Sequence, residues 1–103
     1  MGPLAGLKIV ELFCIGPGPF AGMLLSDMGA DVLLVDRPVE PDWGYPDYPQ
    51  RFLYRNRRSV RVNLQTPEGV EAVLDLVERA DGLIEGFRPG VAERLGLGPD
   101  ECL

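Results

Sequence analysis

The sequence predicts an α/β protein whose strands form a parallel sheet. Short apolar stretches with β-compatible residues alternate along the chain with stretches of helical periodicity. A turn rich in glycine and proline joins the first such strand to the first helix, and a Thr-Pro-Glu capping pattern starts a later helix. Since 103 residues suffice for a single domain at most, we treat residues 1–103 as one domain or part of one.

The first βαβ unit occupies the amino-terminal third of the chain. Leu7 to Phe13 reads as a buried strand, and a helix is predicted to begin near Pro19 and to end at Gly29. Asp31 to Asp36 then forms the second strand, parallel to the first. The predicted apolar face of the helix consists of Phe20, Met23, Leu24 and Met28.

The same alternation continues after a long loop, Pro38 to Gln50, which contains too many prolines for a regular element. Ser59 to Leu64 alternates like a strand, and Thr66 caps a helix that begins with Pro67. Gly82 to Phe87 predicts a further strand, followed by a short helix that ends at a glycine. The apolar side of the long helix is formed by Val70, Val73, Leu74 and Val77.

Charge and composition exclude several classes of protein. A net charge of −6 argues against a general binder of nucleic acids or of anionic membranes. The two cysteines, Cys14 and Cys102, lack the spacing of metal ligands, and the chain has no histidine, so we expect no metal site. No signal peptide and no membrane-spanning stretch is evident, which predicts a soluble, cytoplasmic protein. Half of the basic residues form a cluster: Arg51, Arg55, Arg57, Arg58 and Arg61.

The glycine-rich turn fits the fingerprint of a Rossmann-like dinucleotide site, with Gly16, Gly18 and Ala21 in the G-x-G-x-x-A positions and an aspartate about 20 residues downstream. Two prolines flank the second glycine and have no N–H to offer a pyrophosphate. Arg37 follows that aspartate, where a guanidinium can hold a phosphate on a ribose. A phosphorylated nucleotide other than NAD is favoured, and a tight turn without any ligand is the alternative.

Three separated motifs resemble the α-methylacyl-CoA racemases, which belong to the family III CoA-transferases. They are ELFCIGPGPFAGMLLSDMGADVLLVDRP, RNRRSVRVNLQTPEG and LIEGFRPGVAERLGLGP, in the order and spacing of the family. The resemblance implies that residues 1–103 are the amino-terminal part of a Rossmann-like large domain. It also implies an acyl-CoA substrate, with coenzyme A (CoA) as part of that substrate and no covalently bound cofactor, and an interlocked homodimer.

The resemblance further implies which residues approach the coenzyme. The glycine turn would approach the coenzyme, and Arg37 would contact its nucleotide phosphates. The segment from Val62 to Gln65, at the end of the third predicted strand, would supply backbone contacts on the adenine side. Phe87 would be either a wall of the pocket or a core residue. The site residues carried over are Gly16, Pro17, Arg37, Val62, Asn63, Leu64, Gln65, Gly86, Phe87, Arg88 and Arg94.

Racemases of this family exchange the α-proton between a histidine and an aspartate through a thioester enolate. By the family pattern both residues lie beyond Leu103, so we expect no catalytic residue in this chain and no activity from it alone. Reading the motifs as racemase-like leaves an acyl-CoA:carboxylate CoA-transferase as the alternative, in which an aspartate forms a thioester. From other classes, an NAD-dependent oxidoreductase and a nucleic-acid-binding module remain as weaker alternatives.

Overall fold

The structure is a computed structural model that describes residues 2–14, 17–37 and 57–103. Its strands form one four-stranded parallel sheet in the order β3-β2-β1-β4, with helices on both sides, and this confirms the predicted α/β class. The strands are β1 (Lys8–Leu12), β2 (Asp31–Asp36), β3 (Arg58–Arg61) and β4 (Gly82–Ile84). The helices are α1 (Pro17–Asp27), α2 (Pro67–Glu78), α3 (Val91–Leu95) and α4 (Pro99–Cys102).

The strand order places a topological switch point at β1. The chain moves outward from β1 to β2 and β3 and then returns to pair β4 with the other side of β1. The Phe13 N–H donates to the Val35 carbonyl at 2.9 Å, which carries the β1–β2 ladder one residue past the end of β1. Ligands of open parallel sheets bind in the crevice at the carboxyl ends of such strands.

Helix α1 begins at Pro17, two residues before the predicted start. The first turn of a helix leaves its N–H groups without intrahelical partners, so prolines at positions 17 and 19 remove no hydrogen bond there. The predicted end is confirmed, since Gly29 adopts a φ of 103° directly after the last turn.

Helix α2 has the predicted amino-terminal cap. The Thr66 hydroxyl accepts a hydrogen bond from the Gly69 N–H at 3.1 Å, and Pro67 occupies the first helical position. Of the predicted apolar face, Val73 is fully buried and the other three residues are half-buried against the core. The core on this side of the sheet consists of Val10, Leu12, Val35, Val73 and Leu97.

The other side of the sheet holds a buried ion pair. Glu11 alternates with Val10 and Leu12 and therefore points toward α1, where its Oε1 accepts from Arg57 Nη1. Both side chains are almost completely buried, and Arg57 Nη1 also lies 3.4 Å from the Pro19 carbonyl. Gly22 lies directly above the pair.

The ion pair explains why the predicted apolar face of α1 is wrong. Only Met23 of that face is buried, whereas Phe20, Leu24 and Met28 are 51%, 44% and 40% exposed. The buried carboxylate and guanidinium occupy the space between the sheet and α1, so that mainly small side chains fit there. Helix α1 therefore buries Gly22 and Ser26 together with Met23. The large apolar side chains consequently face outward.

Strand β2 has the predicted bounds, whereas the bounds of the other three strands differ from the predictions by one to three residues. Strand β1 lacks Leu7 and Phe13 at its ends, β3 begins one residue earlier and ends at Arg61, and β4 ends at Ile84. The loop from Pro38 to Gln50, with Arg51 and Arg55 of the cationic cluster, lies outside the described residues. Within residues 2–14, 17–37 and 57–103, no helix has the length and apolarity needed to cross a membrane.

Candidate functional site

A cleft of about 840 Å³ lies at the carboxyl ends of the strands. The segment after each strand contributes to its walls, and α3 closes one side with Val91 and Leu95. The cleft therefore spans the switch point at β1, where the rule for parallel sheets places a ligand. Its lining residues after the four strands include Phe13, Cys14, Arg37, Val62, Asn63, Leu64, Gln65, Gly86, Phe87 and Arg88.

Most of the residues implied by the family resemblance meet in this cleft. Eight of them line it: Arg37, Val62, Asn63, Leu64, Gln65, Gly86, Phe87 and Arg88. Pro17 is exposed at the start of α1 and is not part of the lining. Arg94 is exposed on α3, where its Nε donates to the Gly90 carbonyl at 3.2 Å, and it does not line the cleft. Gly16 lies outside the described residues.

Arg37 lines the cleft, where Phe13 and Asp36 contact it. Its guanidinium carbon lies 4.1 Å from the centre of the Phe13 ring, and its backbone N–H donates to Asp36 Oδ1 at 2.7 Å. In a dinucleotide site an aspartate in the position of Asp36 would accept from a ribose hydroxyl. Here one of its oxygens accepts from the main chain, and the cation beside it is the group suited to a phosphate.

The segment from Val62 to Gln65 forms a tight turn on one wall of the cleft. Asn63 Oδ1 accepts from the Gln65 N–H at 3.0 Å, and the Asn63 carbonyl accepts from the Thr66 hydroxyl at 2.9 Å. Because Thr66 also caps α2, this wall and the start of the helix are one hydrogen-bonded unit. The wall is therefore preorganised before any ligand arrives.

The segment after β4 forms the opposite wall. Phe87 packs against the core cluster and also lines the cleft, so the two alternatives for this residue are compatible. Its N–H donates to Glu85 Oε1 at 2.6 Å, which fixes the backbone, and Arg88 beside it is exposed. A half-buried ring next to an arginine provides a flat apolar surface close to a positive charge.

Cys14 fills the floor of the cleft between two glycines. A Cβ added at Gly86 would lie 2.8 Å from its sulfur, and one added at Gly18 would be closer still. Burial raises the pKa of the Cys14 thiol, Glu11 and Glu85 raise it further, and the backbone N–H groups of Gly86 and Gly18 oppose the rise. The thiol therefore stays protonated at neutral pH. The backbone N–H of Gly18, which lies between Pro17 and Pro19, contacts the Cys14 sulfur.

The cleft combines an apolar surface with two arginines, Arg37 and Arg88. Such a surface suits a flat base attached to phosphates, because the base packs on apolar groups while the phosphates pair with guanidinium. Across the described parts of the chain no three His, Cys, Asp or Glu side chains come together as metal ligands. The arrangement has the chemical groups needed to hold and orient a phosphorylated ligand. The sequence did not indicate that Phe13 and Cys14 line the cleft. Their positions become evident only from their contacts with Arg37 and with Gly18 and Gly86.

The family model described as CoA-transferase family III matches residues 4–103. Among curated proteins, the chain is 41% identical to succinyl-CoA–D-citramalate CoA-transferase of Chloroflexus aurantiacus, over 96% of this chain and 27% of that protein. It is also 41% identical to the α-methylacyl-CoA racemase of Mus musculus, over 97% of this chain and 24% of that protein. The chain thus spans about a quarter of the length of these relatives.

Solved structures agree with the sequence comparison. Rv3272 from Mycobacterium tuberculosis, in its orthorhombic form, superposes with a TM-score of 0.86 at 35% identity, over 99% of this chain and 30% of that chain. A CAIB/BAIF family protein from Brucella suis superposes with a TM-score of 0.83 at 36% identity, over 98% and 30%. With a family model matched over nearly its whole length, the chain belongs to the family III CoA-transferases.

Proposed function

We propose that the cleft binds the coenzyme A part of an acyl-CoA thioester. One observation carries this proposal: the cleft at the carboxyl ends of the strands brings together eight residues that the family resemblance connects with the coenzyme. In this arrangement Arg37 pairs with the phosphate on the ribose. The turn from Val62 to Gln65 and the Phe87 ring contact the adenine.

Electrostatics supports an anionic ligand at this place in spite of the net charge of −6. Two arginines line the cleft, and a phosphate that reaches Arg37 forms a charge-assisted hydrogen bond in a partly desolvated position. Asp36 also lines the cleft, but one of its oxygens accepts from the Arg37 N–H, and the two arginines outnumber it. Charges more than about 8 Å away are screened by salt. The local positive charge therefore decides the binding of phosphate.

We further propose that the complete protein epimerises 2-methylacyl-CoA. A base removes the α-proton, the thioester enolate forms, and an acid returns a proton to the opposite face. We assign none of these steps to an acid of this chain, and we place the histidine and aspartate outside residues 1–103. A CoA-transferase is the second candidate, because a transferase and a racemase match this chain at equal identity.

Binding is tested by isothermal titration of the complete natural protein with CoA, 3′-dephospho-CoA and NAD. CoA should bind most tightly, and Arg37→Ala should weaken it by about tenfold to a hundredfold, as expected for a lost charged hydrogen bond. Arg58→Ala is the matched control, since Arg58 is exposed and pairs with Asp31 at the amino end of the sheet. Tight NAD binding without CoA binding would disprove the proposal.

The reaction is tested with the same protein in deuterated water. A racemase incorporates deuterium at the α-carbon of 2-methylacyl-CoA and interconverts its epimers. A transferase moves CoA from one acid to another without that exchange, and this result would replace the racemase proposal with the second candidate.

We also propose that the complete protein is a cytoplasmic homodimer. Cys14 and Cys102 are thiols that form no disulfide with each other, and a reducing compartment favours thiols. An interlocked dimer is what the family resemblance implies. Sedimentation velocity should give twice the mass of one chain. Cell fractionation should recover the protein with cytosolic markers, and a monomer or an organellar fraction would contradict the corresponding part of the proposal.

A further inference from the structure

Phe13 is the cleft residue whose neighbour suggests a specific task. Its ring lies under the Arg37 guanidinium, with 4.1 Å between the guanidinium carbon and the ring centre. Both side chains are half-buried, and both residues line the cleft. At this distance the cation is attracted by the electron-rich face of the ring.

The main chain fixes both partners of this contact. Phe13 follows the fully buried Leu12, and its N–H donates to the Val35 carbonyl at 2.9 Å. Arg37 follows β2, and its N–H donates to the Asp36 side chain. The two residues thus extend adjacent strands of the sheet, and their side chains meet just beyond its carboxyl edge.

We propose that Phe13 is a positioning residue, which holds the Arg37 guanidinium ready for the phosphate on the ribose and thereby sets the preference for CoA over 3′-dephospho-CoA. The inference rests on the proposed binding of CoA in this cleft. It assigns to Phe13, whose ring face contacts the Arg37 guanidinium, a role beyond packing.

The physical reason is preorganisation. A free arginine side chain samples many rotamers, and ordering it on binding opposes affinity. A ring beneath the guanidinium restricts these rotamers beforehand, while the N–H groups in the plane of the guanidinium can still donate. A ligand without the 3′-phosphate gains nothing from a positioned Arg37, so the effect appears in the ratio of the two affinities.

The experiment measures dissociation constants of CoA and 3′-dephospho-CoA for the complete natural protein and three variants. Phe13→Leu removes the ring face, Phe13→Met does so with a more flexible side chain, and Phe13→Tyr retains it. We expect the leucine and methionine variants to lower the preference for CoA by about threefold to tenfold, the range of a partly buried cation–π contact. The tyrosine variant should stay within about twofold of the wild type.

A double-mutant comparison separates positioning from general damage. In an Arg37→Ala background, Phe13→Leu should not change the preference further, because the cation it positions is gone. If the wild type binds no CoA, both the proposed function and this inference fail. If the wild type prefers CoA and whichever of the leucine and methionine variants folds keeps that preference, Phe13 has no positioning role and the proposed function stands.

Discussion

The buried pair of Glu11 and Arg57 makes Gly22 a critical position of α1. A Cβ added at Gly22 would lie 2.9 Å from Glu11 Cδ and closer still to Glu11 Oε1 and Arg57 Nη1. Ordinary contacts begin near 3.4 Å, so Gly22→Ala forces either α1 to lift or the ion pair to separate. This substitution therefore tests whether α1 lies on the sheet as described.

The expected change in the free energy of unfolding follows from one stabilising effect and two destabilising ones. Alanine is a better helix former than glycine and would by itself stabilise α1 by about 1 kcal/mol. Overpacking a tight contact costs about 1–3 kcal/mol, and separating a buried ion pair costs about 3–5 kcal/mol. A Cβ this close belongs at the upper end of the overpacking range. At pH 8, where the carboxyl is ionised, the net loss in the free energy of unfolding is therefore about 2 kcal/mol if α1 lifts and about 2–4 kcal/mol if the ion pair separates.

Urea denaturation followed by circular dichroism measures this loss. The control places Gly22→Ala in a Glu11→Ala/Arg57→Ala background, where the atoms that would clash are absent. There the substitution should be neutral or stabilising by about 1 kcal/mol, since only helix propensity remains. A neutral Gly22→Ala in the wild type, or an equal loss in both backgrounds, would refute the described packing of α1.

Two further predictions concern a buried charge and a helix cap. Burial raises the pKa of Glu11 from 4.5 to about 7 against the lowering effect of Arg57. Because the pKa of Glu11 is higher in the folded protein than in the unfolded chain, the free energy of unfolding should fall by about 3 kcal/mol as pH rises from 4.5 to 7. Glu11→Gln should remove this pH dependence from urea titrations between pH 4.5 and 8. Parallel pH profiles of the two proteins would contradict it. Thr66→Ala should lower stability by about 1 kcal/mol because the Gly69 N–H loses its acceptor, whereas Thr66→Ser should retain most of it; equal losses would exclude the cap.

The order of elements was predictable because local signals marked it. Thr66 and Pro67 started a helix, Gly29 ended one, and the apolar stretches between them formed the strands in the parallel sheet. Arg37 and the segment from Val62 to Gln65 were placed together by a family resemblance, and the strand order explains why they meet. Carboxyl ends of parallel strands share one edge of the sheet, however far apart they lie in sequence.

The orientation of α1 was not predictable from its own sequence. Helical periodicity favoured burying Phe20 and Leu24, but the surface beneath the helix is set by Glu11 and Arg57, which are 46 residues apart. A carboxylate in the middle of β1, which is apolar apart from Lys8 at its start, is a signal for a buried partner. The identity of that partner depends on the pairing of β3 with β2. The contact of Phe13 with Arg37 likewise depends on the register of β1 and β2.

We propose that the cleft beyond the strands is the site of the coenzyme nucleotide. A crystal structure of the complete natural protein with CoA tests it most directly. We expect adenine between the Phe87 ring and the turn from Val62 to Gln65, with the 3′-phosphate within hydrogen-bonding distance of the Arg37 guanidinium. A nucleotide bound elsewhere on the protein, with the cleft filled only by solvent, would contradict it.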